Sequence, residues 1–66
     1  MTLKDYIIEL AKTDRADGTE ITSSKELIDH LKTIAPELAD ELVGSNAEAC
    51  WMLYLTTVIK VDLNMD

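Results

Sequence analysis

Phenylalanine is absent from this chain of 66 residues, and arginine, histidine, proline and cysteine occur once each, as Arg15, His30, Pro36 and Cys50. A single cysteine excludes an internal disulfide, and Cys50 with His30 supplies too few soft ligands for a four-coordinate structural zinc site. Two glycines cannot supply a phosphate-binding loop or a dinucleotide fingerprint. We therefore expect no metal and no cofactor.

Basic residues are also scarce, since six lysines and arginines face thirteen acidic residues, for a net charge of −7. Binding to a polyanion depends on neutralising phosphates with Lys and Arg. We therefore expect no direct contact with nucleic acid and none with a membrane. The longest uncharged run, Ala49 to Ile59, is eleven residues, well short of the roughly 20 that span a bilayer. A free cysteine and no export signal at the N-terminus predict a cytoplasmic location.

Helical patterning accounts for most of the chain, in which 47% of residues are apolar. Apolar side chains at the i, i+3, i+4, i+7 spacing predict a first amphipathic helix over about 3–14, capped by Thr2 with Asp5 three residues on. The stretch 14–21, which contains Asp17-Gly18, reads as a loop. A second helix is predicted to begin at Thr22 or Ser23, where Glu26 completes a capping box, and to bury Leu27, Ile28, Leu31 and Ile34.

The second half predicts two more helices. Pro36 closes the second helix and suits the first position of a third, whose buried residues would be Leu38, Ala39, Leu42 and Val43. Gly44 is the expected C-cap of that helix, and Ser45 with Glu48 the expected capping box of a fourth helix over about 46–63. A strand over about 56–63 is the alternative, because β-branched residues are frequent there. The start signal favours a helix, so we predict one all-α domain over 1–66, a compact bundle of three to four short helices.

Two residues, His30 and Cys50, are candidates for chemistry. Cys50 lies within an apolar run, where cysteine acts as a small hydrophobe. His30 follows Glu26 by one helical turn, the spacing of an ordinary surface pair, and the sequence brings no nucleophile to it. We predict that the protein is not an enzyme.

A helix-turn-helix reading of 24–44 has the right outline, but its recognition helix would carry Glu37, Asp40 and Glu41 and no basic residue. These three acids and Glu48 are instead predicted to form a surface for a protein partner, possibly a basic one. The fourth helix has more apolar surface than three short helices cover, which predicts a homodimer. Its contact residues would be Trp51, Tyr54, Leu55 and Val58.

The composition thus favours a small acidic interaction module that binds and modulates another protein, in the manner of phage or mobile-element accessory proteins. The alternative is a DNA-mimicking inhibitor of a nucleic-acid-binding protein. A helix-turn-helix regulator is the third reading.

Overall fold

The computed structural model describes residues 2–63, which form four α-helices and, within that range, no strand. The helices are α1 (Leu3–Asp17), α2 (Ser24–Ile34), α3 (Pro36–Ala39) and α4 (Ser45–Asp62). The predicted all-α fold is confirmed. The strand considered for 56–63 is wrong, because the helical backbone of α4 continues through Asp62.

Helix α1 begins as its sequence predicts and ends later. Thr2 has extended backbone angles, and its hydroxyl oxygen accepts a hydrogen bond from the Asp5 amide at 3.2 Å. The helix continues three residues past the predicted end, to Asp17, where Gly18 takes a left-handed φ of 80°. The Gly18 and Thr19 amides donate to the carbonyls of Arg15 and Asp14, the two bonds of a Schellman motif. Asp17-Gly18 is therefore a helix end rather than part of a loop.

Helix α2 starts at the predicted cap. The Ser23 hydroxyl oxygen accepts from the Glu26 amide at 3.2 Å. The Glu26 carboxylate reaches back one residue further than in a standard capping box, and accepts from both the amide and the hydroxyl of Thr22 at 3.1 and 3.0 Å. The Glu26 amide, one of the unpaired donors of the first turn, is thereby satisfied, and its carboxylate holds Thr22 against the start of the helix.

The corner between α2 and α4 differs from the prediction. Pro36 does occupy the first position of α3, but α3 is a single turn that ends at Ala39. Gly44 is therefore not its C-cap. It has φ 57° and ψ −132° and is the N-cap of α4, which places Ser45 inside the helix with no side-chain cap bond. Val43 is 65% exposed, because α3 ends four residues before it and the helical spacing no longer orients its side chain.

The core lies where α1, α2 and α4 meet, with α4 packed chiefly on α1. Ile34, expected on the buried face of α2, is its last residue and is 45% exposed. The buried apolar residues come from all four helices and the turn after α3: Ile7, Leu10, Ala11, Leu27, Leu31, Ala39, Leu42, Cys50 and Tyr54.

Candidate functional site

Helix α4 has apolar side chains on two opposite sides. Cys50, Tyr54 and Thr57 are buried on the side that meets the core. The opposite side carries Met52 and Ile59, and Leu63, the C-cap residue just after the helix, follows them; these side chains are 60%, 56% and 62% exposed. Because these three are separated by seven and four residues, they follow one line along the helix. We call Met52, Ile59 and Leu63 the outer stripe.

The residues predicted for self-association lie elsewhere on α4. Trp51, Leu55 and Val58 are half-buried at the flanks of the helix. Tyr54 is 2% exposed, and its ring stacks on that of Trp51 with centroids 6.0 Å apart and planes 14° from parallel. Tyr54 therefore belongs to the core of the single chain and cannot form part of an exposed contact surface. Self-association itself stays a prediction.

Sequence reasoning did not single out Met52 as a surface residue, although a signal was present. A helix that is apolar all round must present some of those side chains away from its own core when only one side is packed. The spacing indicates that residues 52, 59 and 63 share one side of the helix. Which side meets the core depends on the placement of α1 and α2, and the fourth segment alone does not contain that information.

The four predicted partner-facing acids are all exposed. Glu37 lies in α3, Asp40 and Glu41 in the turn after it, and Glu48 in the first turn of α4, four residues before Met52. The side-chain amide of Asn46 donates to the Glu41 carbonyl at 3.4 Å, which holds this turn against the start of α4. We call these four acids the acidic segment. Glu48 is on α4 itself, whereas Glu41 lies near Cys50, on the side of α4 that meets the core.

A buried polar network joins three of the helices. Asp14 of α1 is 4% exposed. The Tyr54 hydroxyl donates to its Oδ2 at 2.8 Å, and His30 Nε2 of α2 lies 3.4 Å from its Oδ1, close enough for an ion pair when the imidazole is protonated. A carboxylate removed from water is costly unless partners surround it. Here both oxygens have one, so the network stabilises a single arrangement of α1, α2 and α4.

Burial raises the pKa of the Tyr54 phenol, and the hydrogen bond to Asp14 and the negative charge of that carboxylate raise it further. The phenol therefore stays protonated and remains a donor at physiological pH. The sequence did contain a hint of this network, because Asp14 continues the buried series of Ile7, Leu10 and Ala11 at the helical spacing. An acid in an apolar stripe requires a partner from another element.

The Cys50 thiol has the properties of a core residue. It is 3% exposed, and burial raises its pKa, with the nearby Glu41 raising it further and Lys4 acting in the opposite direction. Reactive thiols have lowered pKa values and solvent access. This arrangement disfavours the thiolate, and it fits the structural role predicted for Cys50.

A shallow cleft lies between the α1–α2 connection and α4, with Ile21, Thr22 and Val58 in its lining. At its edge, Arg15 Nε of α1 donates to Asp62 Oδ1 of α4. Both side chains of this ion pair are about two-fifths exposed, at 40% and 42%, so the pair adds little to stability. It does link the C-terminal ends of the two longest helices.

Residues 2–63 contain neither a metal-binding cluster nor a membrane-spanning helix. No cluster of three or more His, Cys, Asp or Glu side chains in that range is arranged to hold a metal ion. None of the helices there combines the length and apolar character needed to cross a membrane. Comparisons with protein families, with curated proteins and with solved structures find no match for this chain.

Proposed function

We propose that this chain is a non-enzymatic interaction module that binds another protein through the outer stripe of α4, with the acidic segment attracting the partner. The observation that carries the proposal is the exposure of Met52, Ile59 and Leu63, at 60%, 56% and 62%, on one side of one helix. Exposed apolar side chains grouped on one side of a helix are a feature of protein contact surfaces, and the exposed Thr56 lies between Met52 and Ile59 in this group.

The apolar surface that the outer stripe can still bury limits the affinity of the contact. Fully burying a Leu, Ile or Met side chain is worth about 1.5–3 kcal/mol. Since about three-fifths of each stripe residue remains to be covered, the three together supply on the order of 4 kcal/mol, which corresponds to millimolar affinity. A useful complex must therefore add contacts, and the half-buried Trp51 and Leu55 and the exposed Glu48, all on α4, are the nearest sources.

The length of α3 weighs against the reading as a DNA-binding regulator. A recognition helix must lie along the major groove and present several side chains to base edges. Helix α3 has four residues, Pro36–Ala39, which make a single turn, and the residues that follow add Asp40 and Glu41. A partner protein suits this corner better than DNA does. As the setting we propose the cytoplasm, where a buried free cysteine stays reduced, and a role of the phage or mobile-element accessory type.

Site-specific photo-crosslinking in the cells that produce the protein tests this function. A photoreactive residue at position 52 or 59 should form an adduct with another protein. The matched control places the photoreactive residue at position 34, where Ile34 is 45% exposed at the end of α2. This control should form no adduct. Equal adducts from both positions, or none from the stripe, would contradict the proposal.

The role of the acidic segment in binding can be tested separately once the partner has been identified. Changing Glu37, Asp40 and Glu41 together to lysine removes exposed carboxylates outside the core, so the fold should persist. We expect slower association with the partner, and a wild-type association rate that falls as salt rises, because complementary charge acts chiefly on encounter. An unchanged association rate would show that these acids are only a solvated surface.

A further inference from the structure

Asp17 and Gly18 form the one Asp-Gly pair in the sequence, since every other aspartate that has a successor is followed by a residue with a side chain. Both residues are exposed, at the C-terminal end of α1. No hydrogen bond or ion pair within residues 2–63 holds the Asp17 carboxyl group. A β-carbon built on Gly18 would meet nothing within 4 Å. Neither burial nor a neighbouring side chain therefore shields the peptide bond between these two residues from water.

An Asp-Gly pair can rearrange through a five-membered ring, because the attacking nitrogen and the carboxyl carbon belong to adjacent residues. The nitrogen of Gly18 attacks Cγ of the protonated Asp17 carboxyl group. The amide proton and the carboxyl hydroxyl leave as water, and a succinimide forms. Water then opens the ring: breaking the new N–Cγ bond restores aspartate, whereas breaking the bond from the nitrogen to the main-chain carbonyl carbon of Asp17 gives isoaspartate. One water leaves and one enters, so the reaction requires no oxidant or cofactor.

The hydrogen bonds at the end of α1 restrain this reaction. The Gly18 amide donates to the Arg15 carbonyl at 3.3 Å, and the Thr19 amide donates to the Asp14 carbonyl at 2.8 Å. Ring closure requires Asp17 to leave its helical conformation and the Gly18 amide to lose its acceptor. Both conditions are met when the last turn of the helix frays, and a helix end opens at a far lower cost in free energy than the whole fold. The restraint is therefore local.

We propose that the Asp17–Gly18 pair is a site of spontaneous isoaspartate formation in the folded protein, reached through fraying of the last turn of α1. The product adds one carbon atom to the backbone between these residues. The amides of Gly18 and Thr19 then no longer lie opposite the carbonyls that they bond in the unmodified chain, so α1 loses its C-cap. The same turn carries Arg15, which links α1 to Asp62 of α4. The modification therefore loosens the contact between the C-terminal ends of the two longest helices.

Prolonged incubation of the purified protein at neutral pH, well below its melting temperature, tests the proposal. Trypsin releases residues 16–25 as one peptide, in which Asp17 is the only aspartate. The isoaspartate form of this peptide has the same mass and separates from it by reversed-phase chromatography. We expect isoaspartate to form in the folded protein at a rate within about tenfold of that in the guanidinium-unfolded chain, because only the last turn has to open. A reaction that needed global unfolding would be slower by more than about a thousandfold.

The matched control is Asp17→Glu, which keeps the charge and the exposed position at the helix end. Its carboxyl group would have to close a six-membered ring, which forms far more slowly, so the peptide 16–25 of this variant should stay unchanged over the same period. Hydrogen exchange gives a second measurement. In the isolated isoaspartate form the amides of Gly18 and Thr19 should exchange at least about tenfold faster than in the fresh protein, because the C-cap bonds are lost.

Three results would overturn the inference. A rate in the folded protein more than about tenfold below that of the unfolded chain would show that the helix end protects the pair. Equal accumulation at Asp40, which is exposed at the end of α3 and followed by Glu41, would show that the glycine has no special role. Unchanged exchange of the Gly18 and Thr19 amides in the isoaspartate form would show that the C-cap survives the modification.

Discussion

The hydroxyl of Tyr54 in α4 donates a hydrogen bond of 2.8 Å to Asp14 Oδ2 in α1, and so joins residues 40 positions apart in sequence. A slip of one residue in either helix would rotate its side chains by about 100° and separate the two groups. The buried carboxylate would then lose this donor. The pair therefore favours one rotational alignment of α1 against α4, which apolar packing alone specifies less strictly.

Removing the donor should destabilise the fold measurably. Tyr54→Phe keeps the ring and its stacking on Trp51 but leaves Asp14 Oδ2 without the phenol. We expect the free energy of unfolding to fall by about 1–3 kcal/mol, the cost of stranding a buried polar group. Urea denaturation measures it. Tyr6→Phe, which removes the same hydroxyl from a half-buried tyrosine outside the network, is the control. Equal losses in the two variants would assign no special role to the bond.

The same bond predicts a loss of stability at alkaline pH. The pKa of Tyr54 is raised in the folded state by burial and by Asp14, whereas the pKa of an unfolded tyrosine is about 10. Above that pH the unfolded chain has released a proton that the folded chain keeps. The free energy of unfolding should therefore decrease by up to about 1.4 kcal/mol per pH unit until the folded-state pKa is reached. Urea melts between pH 9 and 11.5 test this, and Tyr54→Phe should lack this component.

Cys50 should react slowly while the protein is folded. Because the thiol is 3% exposed and its pKa is raised by burial, we expect alkylation by iodoacetamide at pH 8 to be at least about tenfold slower than in the urea-unfolded chain. The variant Cys50→Ala/Ala49→Cys moves the thiol to the neighbouring exposed position and should react quickly in the folded state. Comparable rates for the two folded proteins would contradict burial of Cys50.

The two serines that precede acids at the capping-box spacing should differ in importance. Ser23 caps α2 through a 3.2 Å bond from the Glu26 amide, so Ser23→Ala should lower the free energy of unfolding by about 1 kcal/mol. Ser45 lies inside α4 without a side-chain cap bond, so Ser45→Ala should change it by a few tenths at most. Thermal melts of both variants measure the difference, and a larger loss at Ser45 would mean that α4 begins one residue later than the structure has it.

The starts of α1 and α2 could be predicted because each depends on a side chain and an amide only three residues away. The same local pattern was misleading at Ser45, where the unusual backbone of Gly44 places the cap one residue earlier. The outer stripe and the Asp14–Tyr54 bond could not be located from sequence, because both depend on how α4 is rotated against α1. That rotation follows from packing between segments far apart in the chain.

The backbone conformation of Gly44, before the start of α4, suits a D-amino acid better than an L-amino acid. Its φ of 57° and ψ of −132° are close to the mirror image of the polyproline II angles that L-residues adopt readily. A β-carbon added there would meet nothing within 4 Å, so backbone chirality rather than space excludes L-alanine. D-alanine should fit without strain and reduce the freedom of the unfolded chain, which would stabilise the fold by about 0.4–1 kcal/mol. A chain of 66 residues with a single cysteine at position 50 can be assembled from two synthetic peptides joined at that cysteine, so this mirror-image residue is within reach of total synthesis.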